Sequence, residues 1–228
     1  MCGRFSLDRT GSQLEARFKA RLRVALESPL YNITPSGAAA CIPQEDPEGI
    51  YLFRWGLGGQ AREGKGRMLI NARSETVQQK WPFRQLIGGH RCLVLASGYL
   101  EWKEAGKQKI PYLHRLAGTE VFAMAGLTES PPGQKAGAET SFTILTREAG
   151  PKASDYHDRM PVILTPEQES LWLDPAQDPA RLLESLAKNP EPDLEIFSVS
   201  SRINRCFDND PALLEPVAAT IPVQLSLF

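Results

Sequence analysis

The sequence is poor in four things, and each shortage narrows what the chain can be. It has almost no net charge, −1 at neutral pH. A protein that coats nucleic acid indiscriminately carries a strong basic excess, so any nucleic-acid site here must be a local patch. It has only four cysteines, Cys2, Cys41, Cys92 and Cys206, widely spaced and with no Cys-x-x-Cys pair. That argues against a disulfide framework or a zinc site and suits a reducing compartment. No metal and no cofactor is expected. No apolar run could span a bilayer, and the polar start "MCGRFSLDRTGSQ" cannot act as a secretion signal. The chain is expected to be cytoplasmic and monomeric, with no membrane partner. Histidine is scarce as well, with three in 228 residues, which leaves few candidates for proton transfer near neutral pH.

What is present suits one domain with a well-buried core, since 42% of the residues are apolar. Thr10 and Gln13 form a capping box before Leu14, Phe18 and Leu22, which recur on one helical face. "ESPLYNITPSG" reads as a turn-rich connection. "GIYLFRWGL", "RCLVLASGYLEW", "VFAMAGLT" and "SFTILT" read as strands between Gly, Pro and charged loops. "GGQAREGKGR" and "ESPPGQKAGAE" read as exposed loops. Thr165, Pro166 and Gln168 start one later helix; Asp178 and Pro179 start another, with Leu182, Leu183 and Leu186 inward. "LEIFSVSSRIN" returns as a strand. The fold class is α+β: a single, strand-dominated domain over residues 1–222 with peripheral helices, and a tail over 223–228.

Cys2 follows the initiator methionine directly. Cysteine is small enough for Met1 to be removed, leaving Cys2 with a free α-amine of pKa about 7.7–8.0. The thiol lies two carbons away. Such a 1,2-aminothiol condenses with an aldehyde: the amine forms a Schiff base, then sulfur closes a thiazolidine ring in an intramolecular step. No internal cysteine and no lysine can make that product. The same terminus also suits an N-terminal nucleophile hydrolase, whose amine serves its own thiol as base.

Three other stretches carry suitable chemistry. "INARSET" sets Asn71 and Arg73 two apart on an extended segment, hence on one face. "SGYLEW" sets Glu101 among Tyr99, Leu100 and Trp102, surroundings that raise a carboxyl pKa toward neutrality. "HDRMP" gives His157, Asp158 and Arg159 before an apolar strand. Taken singly, each also reads as ordinary surface strand or loop. His90 and His114 read as structural, and Trp55, Trp81, Trp102 and Trp172 as core.

The ordered set "MCGRF", "YNITP", "WGL", "INARSET", "SGYLEW", "ILT" and "HDRMPVIL" resembles the SRAP family of abasic-site processing proteins, from Cys2 to about "SVSSRIN". The resemblance implies a curved β core, a positive cleft for single-stranded DNA, and a covalent thiazolidine link to the ring-opened abasic sugar. It makes Cys2 the attacking residue and Asn71 the group that orients its amine. Glu101 would move protons, and His157 would protonate the sugar oxygen. Arg4, Arg73 and Arg159 would bind phosphates, Thr146 would touch the DNA backbone, and Pro35 would pack against a base. It further implies release of the initiator methionine, a peptidase activity, and a lyase reaction from the Schiff base. One departure stands out: family members often carry Pro and Trp after "WG", where this chain reads "LGGQAREGKGR". Arg62, Lys65 and Arg67 would compensate only electrostatically. Ser198, where the family commonly has Pro, is expected to matter structurally alone.

The chain ends "QLSLF", which resembles the peptide with which bacterial repair proteins bind the replicative sliding clamp. Gln224, Leu225, Ser226, Leu227 and Phe228 would be that peptide, placing the protein at bacterial replication forks. A buried final strand would explain Leu225 and Leu227 equally well. Three function classes follow: a covalent trap for abasic sites, an N-terminal-cysteine peptidase or amidohydrolase, and a non-catalytic clamp adaptor.

Overall fold

Residues 2–26, 29–58, 68–106, 108–130 and 133–218 are described by the computed structural model. The chain runs through β1 (Phe5–Leu7), α1 (Gly11–Phe18), β2 (Arg21–Leu22), β3 (Leu30–Ile33), β4 (Ala38–Pro43) and β5 (Gly49–Trp55). It continues through β6 (Asn71–Arg73), α2 (Phe83–Leu86), β7 (Arg91–Ala96), β8 (Gly98–Ala105), β9 (Gln108–Leu116) and β10 (Phe122–Glu129). The last elements are β11 (Ser141–Glu148), β12 (Arg159–Pro161), β13 (Ile163–Leu164), α3 (Pro166–Leu173), α4 (Pro179–Ala187) and β14 (Leu194–Ser198). The expected strand-dominated α+β architecture is what the chain adopts.

Two sheets organise it. One has the order β14-β9-β8-β1-β3. In the other, β11, β10, β7, β4 and β5 follow one another, and β11 pairs again with β5 in parallel, closing a barrel. Closure removes the open edges that would otherwise need protection. Its interior is crowded. A Cβ on Gly126 of β10 would lie 2.7 Å from Val94 Cγ2 and 2.8 Å from Cys92 Sγ, so only glycine lets β10 and β7 pack there.

The stretch "RCLVLASGYLEW" bends from one sheet into the other. β7 belongs to the barrel and β8 to the second sheet, with Ser97 between them facing Ser6 Oγ at 3.2 Å. Phe5 on β1 meets Trp55 edge-on at 5.0 Å, and Trp55 stacks on Phe142 at 6.3 Å. These rings lock β1, and with it the N-terminal segment, onto the barrel wall. Burial of a phenylalanine-sized side chain is worth about 1.5–3 kcal/mol.

The helix starts follow the sequence. Thr10 N–H donates to Gln13 Oε1 at 2.9 Å, and Thr165 N–H donates to Gln168 Oε1 at 3.1 Å. Asp178 Oδ1 accepts from Ala180 N–H at 2.7 Å, and α4 buries Leu182, Leu183 and Leu186. Four expectations need correction. α1 stops at Phe18 because Lys19 turns left-handed (φ 53°), so Leu22 lies on β2 and not on the helix. "YNITP" is not only a turn, since Leu30–Ile33 pairs with β1 as β3. "LEIFSVSSRIN" is a strand only to Ser198, and Ser201–Asn204 forms a 3-10 turn. Trp81 is not core: it is 69% exposed. Arg62, Lys65, Arg67 and the terminal peptide Gln224–Phe228 lie outside the described residues.

Candidate active site at the N-terminal cysteine

Antiparallel pairing of β1 with β8 sets Phe5 opposite Tyr99, and Leu100 N–H donates to the Arg4 carbonyl at 2.9 Å. Cys2 therefore ends on β8's flank, fully buried, with Sγ 3.8 Å from the Arg4 carbonyl. Burial raises the thiol pKa, and the Glu101 carboxylate raises it further. The group is a neutral thiol that feels the Glu101 charge.

Asn71 reaches the same point from the barrel. β6 runs parallel to β11, with Asn71 opposite Ile144. Its Nδ2 donates to the Cys2 carbonyl at 2.8 Å. Its Oδ1 is buried and accepts no hydrogen bond from any described residue. A buried amide oxygen without a donor costs stability, and such a group calls for a functional explanation.

Glu101 is buried on the same face of β8 as Tyr99. Burial pushes its pKa up to about 7. At neutral pH it exists in both protonation states, as a proton-transfer group requires.

His157 arrives on the turn before β12. Its Nδ1 accepts from Arg159 N–H at 2.9 Å and also lies 2.6 Å from Asp158 Oδ1. One ring nitrogen cannot serve both partners at once. Burial lowers the His157 pKa, so the neutral ring accepting from Arg159 N–H is favoured and the proton rests on Nε2.

An aromatic column joins these parts. Tyr99 stacks on His114 at 4.5 Å, and His114 meets Tyr156 edge-on at 5.2 Å. Tyr99 lies two residues from Glu101 and Tyr156 one residue from His157, so the column links the strand that carries Glu101 to the turn that precedes His157. His114 is fully buried, and burial depresses its pKa to about 4. From the sequence His114 reads only as structural; its stack on Tyr99 follows from the β8–β9 register, which sets the two opposite each other. The alternation of Tyr99 with Glu101, and the adjacency of Tyr156 to His157, were the available signals.

The expected phosphate contacts divide. Arg73 is exposed at the end of β6 and has no ion pair among the described residues. Arg159 differs: it is buried at 6% exposure, with Nη1 and Nη2 on the two Glu75 oxygens at 2.7 and 2.9 Å. Nη2 also donates to the Thr146 carbonyl at 2.7 Å. Thr146 is itself buried, its Oγ1 3.5 Å from the Ala72 carbonyl. Arg159 and Thr146 are thus both buried, with Arg159 tied to Glu75 and to the Thr146 carbonyl. Arg4 is half-buried and donates to Asn32 Oδ1 at 2.9 Å and to the Ile203 carbonyl. Pro35 is half-buried in the turn after β3. Among the described residues, no cluster of three His, Cys, Asp or Glu side chains could hold a metal, and no helix is long and apolar enough to cross a membrane.

The family profile described as SOS response associated peptidase (SRAP) matches residues 1–206. The chain belongs to the SRAP family. A curated SRAP relative, the abasic site processing protein YoqW of Bacillus subtilis, is 36% identical over 222 residues, covering 94% of this chain and 99% of YoqW. The abasic site processing protein YedK of Escherichia coli is 30% identical, covering 76% of this chain and 79% of YedK. Among solved structures, a protein from Bacteroides thetaiotaomicron superposes with TM-score 0.80 at 25% identity, covering 95% of this SRAP chain and 100% of that one.

Proposed function

We propose that this SRAP chain traps abasic sites in single-stranded DNA as a thiazolidine built on Cys2 after Met1 is removed. The observation that carries the reading is Cys2 itself: its carbonyl is held by Asn71 and its thiol lies in the field of Glu101. Similarity to proteins named for abasic-site processing supports the substrate.

The steps assign each group a task. His157, in the imidazolium form whose Nδ1–H faces Asp158, gives its Nε2 proton to the sugar ring oxygen while the Glu101 carboxylate takes the C1′ hydroxyl proton, so the ring opens to its C1′ aldehyde. The Cys2 amine, held by the unpartnered Asn71 Oδ1, adds to C1′. The resulting hydroxyl takes a proton from Glu101 and leaves as water, giving a protonated imine. Cys2 Sγ then bonds to C1′, the C=N π electrons pass to nitrogen, and the thiol proton goes to Glu101. Aldehyde and aminothiol yield thiazolidine and one water, with no change in oxidation state. The thiol stays neutral until the imine forms because burial raises its pKa, so its proton must be removed as the bond to carbon develops. Glu101, with a pKa near 7, can both give and take protons in turn.

Arg73, exposed and without an ion pair among the described residues, would take a phosphate, as would Arg4, and Pro35 would pack against a base. The same groups would hydrolyse the Met1–Cys2 bond, and β-elimination from the imine would make the protein a lyase. The terminal peptide Gln224–Phe228 would carry it to a bacterial sliding clamp at replication forks in the cytoplasm. Removing residues 224–228 should then abolish clamp pull-down and leave DNA capture intact; unchanged pull-down rejects that part.

The test of the main reading is incubation with single-stranded DNA containing one abasic site. An adduct that survives a denaturing gel and vanishes in Cys2→Ala is expected. Release of amide products with no adduct would favour the rival amidohydrolase.

A further inference from the structure

Phe207 is 98% exposed, more than any other large apolar residue described. A lone exposed phenylalanine is ordinary; the mount beneath this one is not. Asp208 N–H donates to the Arg205 carbonyl at 3.2 Å, closing a turn that puts Cys206 and Phe207 at its tip. Asn32 on β3 brackets that turn, its Nδ2 donating to the carbonyls of Arg205 and Asp208 at 2.9 Å each. The Asn32 Oδ1 accepts from Arg4, which also donates to the Ile203 carbonyl. Arg4 lies over the Trp102 ring at 5.8 Å, and Trp102 Nε1 donates to Asn204 Oδ1 at 2.8 Å. The turn is thus bolted to Arg4, two residues from Cys2, and to Trp102, the neighbour of Glu101.

The charges around the ring are sorted. Asp208 and Asp210 are both paired with Arg202, at 3.3 and 2.6 Å. Arg205 is exposed and has no ion pair among the described residues. The surface beside the candidate site therefore offers a flat apolar ring next to an uncompensated cation, on a support whose ordering cost is met by folding. That combination suits a nucleobase with its phosphate: the base stacks on the ring and the guanidinium takes the charge.

We infer that Phe207 is a stacking platform for a base of single-stranded DNA next to the captured lesion, with Arg205 on the adjoining phosphate. The inference rests on the DNA-capture reading above and adds the subsite that holds the neighbouring nucleotide. It places an aromatic contact on this chain although the "WG" segment carries none.

The test uses the full chain with undamaged and abasic single-stranded DNA. Phe207→Ala should bind undamaged DNA roughly 5- to 100-fold more weakly, the range expected for losing one base–aromatic stack. Phe207→Trp should bind like the wild type, and adduct yield at saturating abasic DNA should be the same in all three. Replacing one nucleotide at a time with a base-less tetrahydrofuran spacer should locate one position at which the wild type falls to the level of Phe207→Ala and the variant loses nothing more. Unchanged affinity in Phe207→Ala, losses that add at every spacer position, or a change only in self-association would overturn the platform. If the wild type binds DNA through Phe207 yet forms no adduct, the platform stands and the capture reading fails.

Discussion

Asn71 donates to the Cys2 carbonyl at 2.8 Å while its own side-chain oxygen sits buried with no described donor. One amide thus fixes the backbone of Cys2, the proposed nucleophile, and keeps an acceptor in reserve beside it. The α-amine created by removal of Met1 is the donor that would complete the pair. Asn71→Ala removes both functions. Adduct formation with abasic DNA should slow by roughly 10- to 100-fold through misplacement of the amine, with undamaged-DNA binding unchanged. A rate equal to the wild type in single-turnover gels would show that Asn71 only fills space.

Glu101 should leave its mark on the pH profile of capture. Its pKa of about 7 places a bend in the adduct rate near neutrality. Glu101→Gln keeps the shape, loses the titration, and should lower the rate by about 10²–10⁴-fold. A bend near pH 7 that persists in Glu101→Gln assigns it to another group, and His157→Gln is then the variant to measure.

Stability carries a second pH signature with two opposing parts. Glu101 has a folded pKa raised from 4.5 to about 7; its contribution is complete below pH 4.5 and is lost as pH rises through 7. His114 is lowered from 6.5 to about 4; its contribution is complete above pH 6.5 and is lost as pH falls through 4. Each difference corresponds to on the order of 3 kcal/mol. In urea unfolding between pH 4.5 and 6.5, Glu101→Gln should gain stability with rising pH relative to the wild type. His114→Phe should lose it. Identical pH slopes in all three proteins would contradict both burial arguments.

Arg159 and Arg73 should separate cleanly. Arg159 is buried against Glu75, which is half exposed. Glu75→Ala leaves that guanidinium without its carboxylate and should cost about 1–3 kcal/mol, less than a fully buried pair because water reaches Glu75. Arg73→Ala should leave the melting temperature unchanged, weaken DNA binding uniformly across sequences, and reduce the salt slope by about one. A Glu75→Ala that keeps its stability and binds DNA more tightly would show that Arg159 is free to take a phosphate.

Much of this arrangement is legible in the sequence, for local reasons. The boxes Thr10–Gln13 and Thr165–Gln168 announce helix starts because their hydrogen bonds span one turn. Asn71 and Glu101 announce themselves by sitting in short strands beside apolar neighbours. What escapes is long-range. Nothing near Arg159 in the chain says that Glu75, 84 residues away, satisfies it. Nor does "SFTILT" reveal its parallel pairing with β5, the contact that closes the barrel. Leu22 keeps the helical period, yet Lys19 ends the helix first. Phe207 shows how far a residue's importance depends on its mount, since Asn32 and Arg4 lie more than 170 residues away in the chain.

Intact-mass spectrometry of the untreated adduct tests the central chemistry most directly. The thiazolidine mechanism requires a species equal to protein without Met1 plus the abasic strand, less one water, formed without any reducing agent. An adduct that still carries Met1, or one that survives only after borohydride reduction, would contradict it.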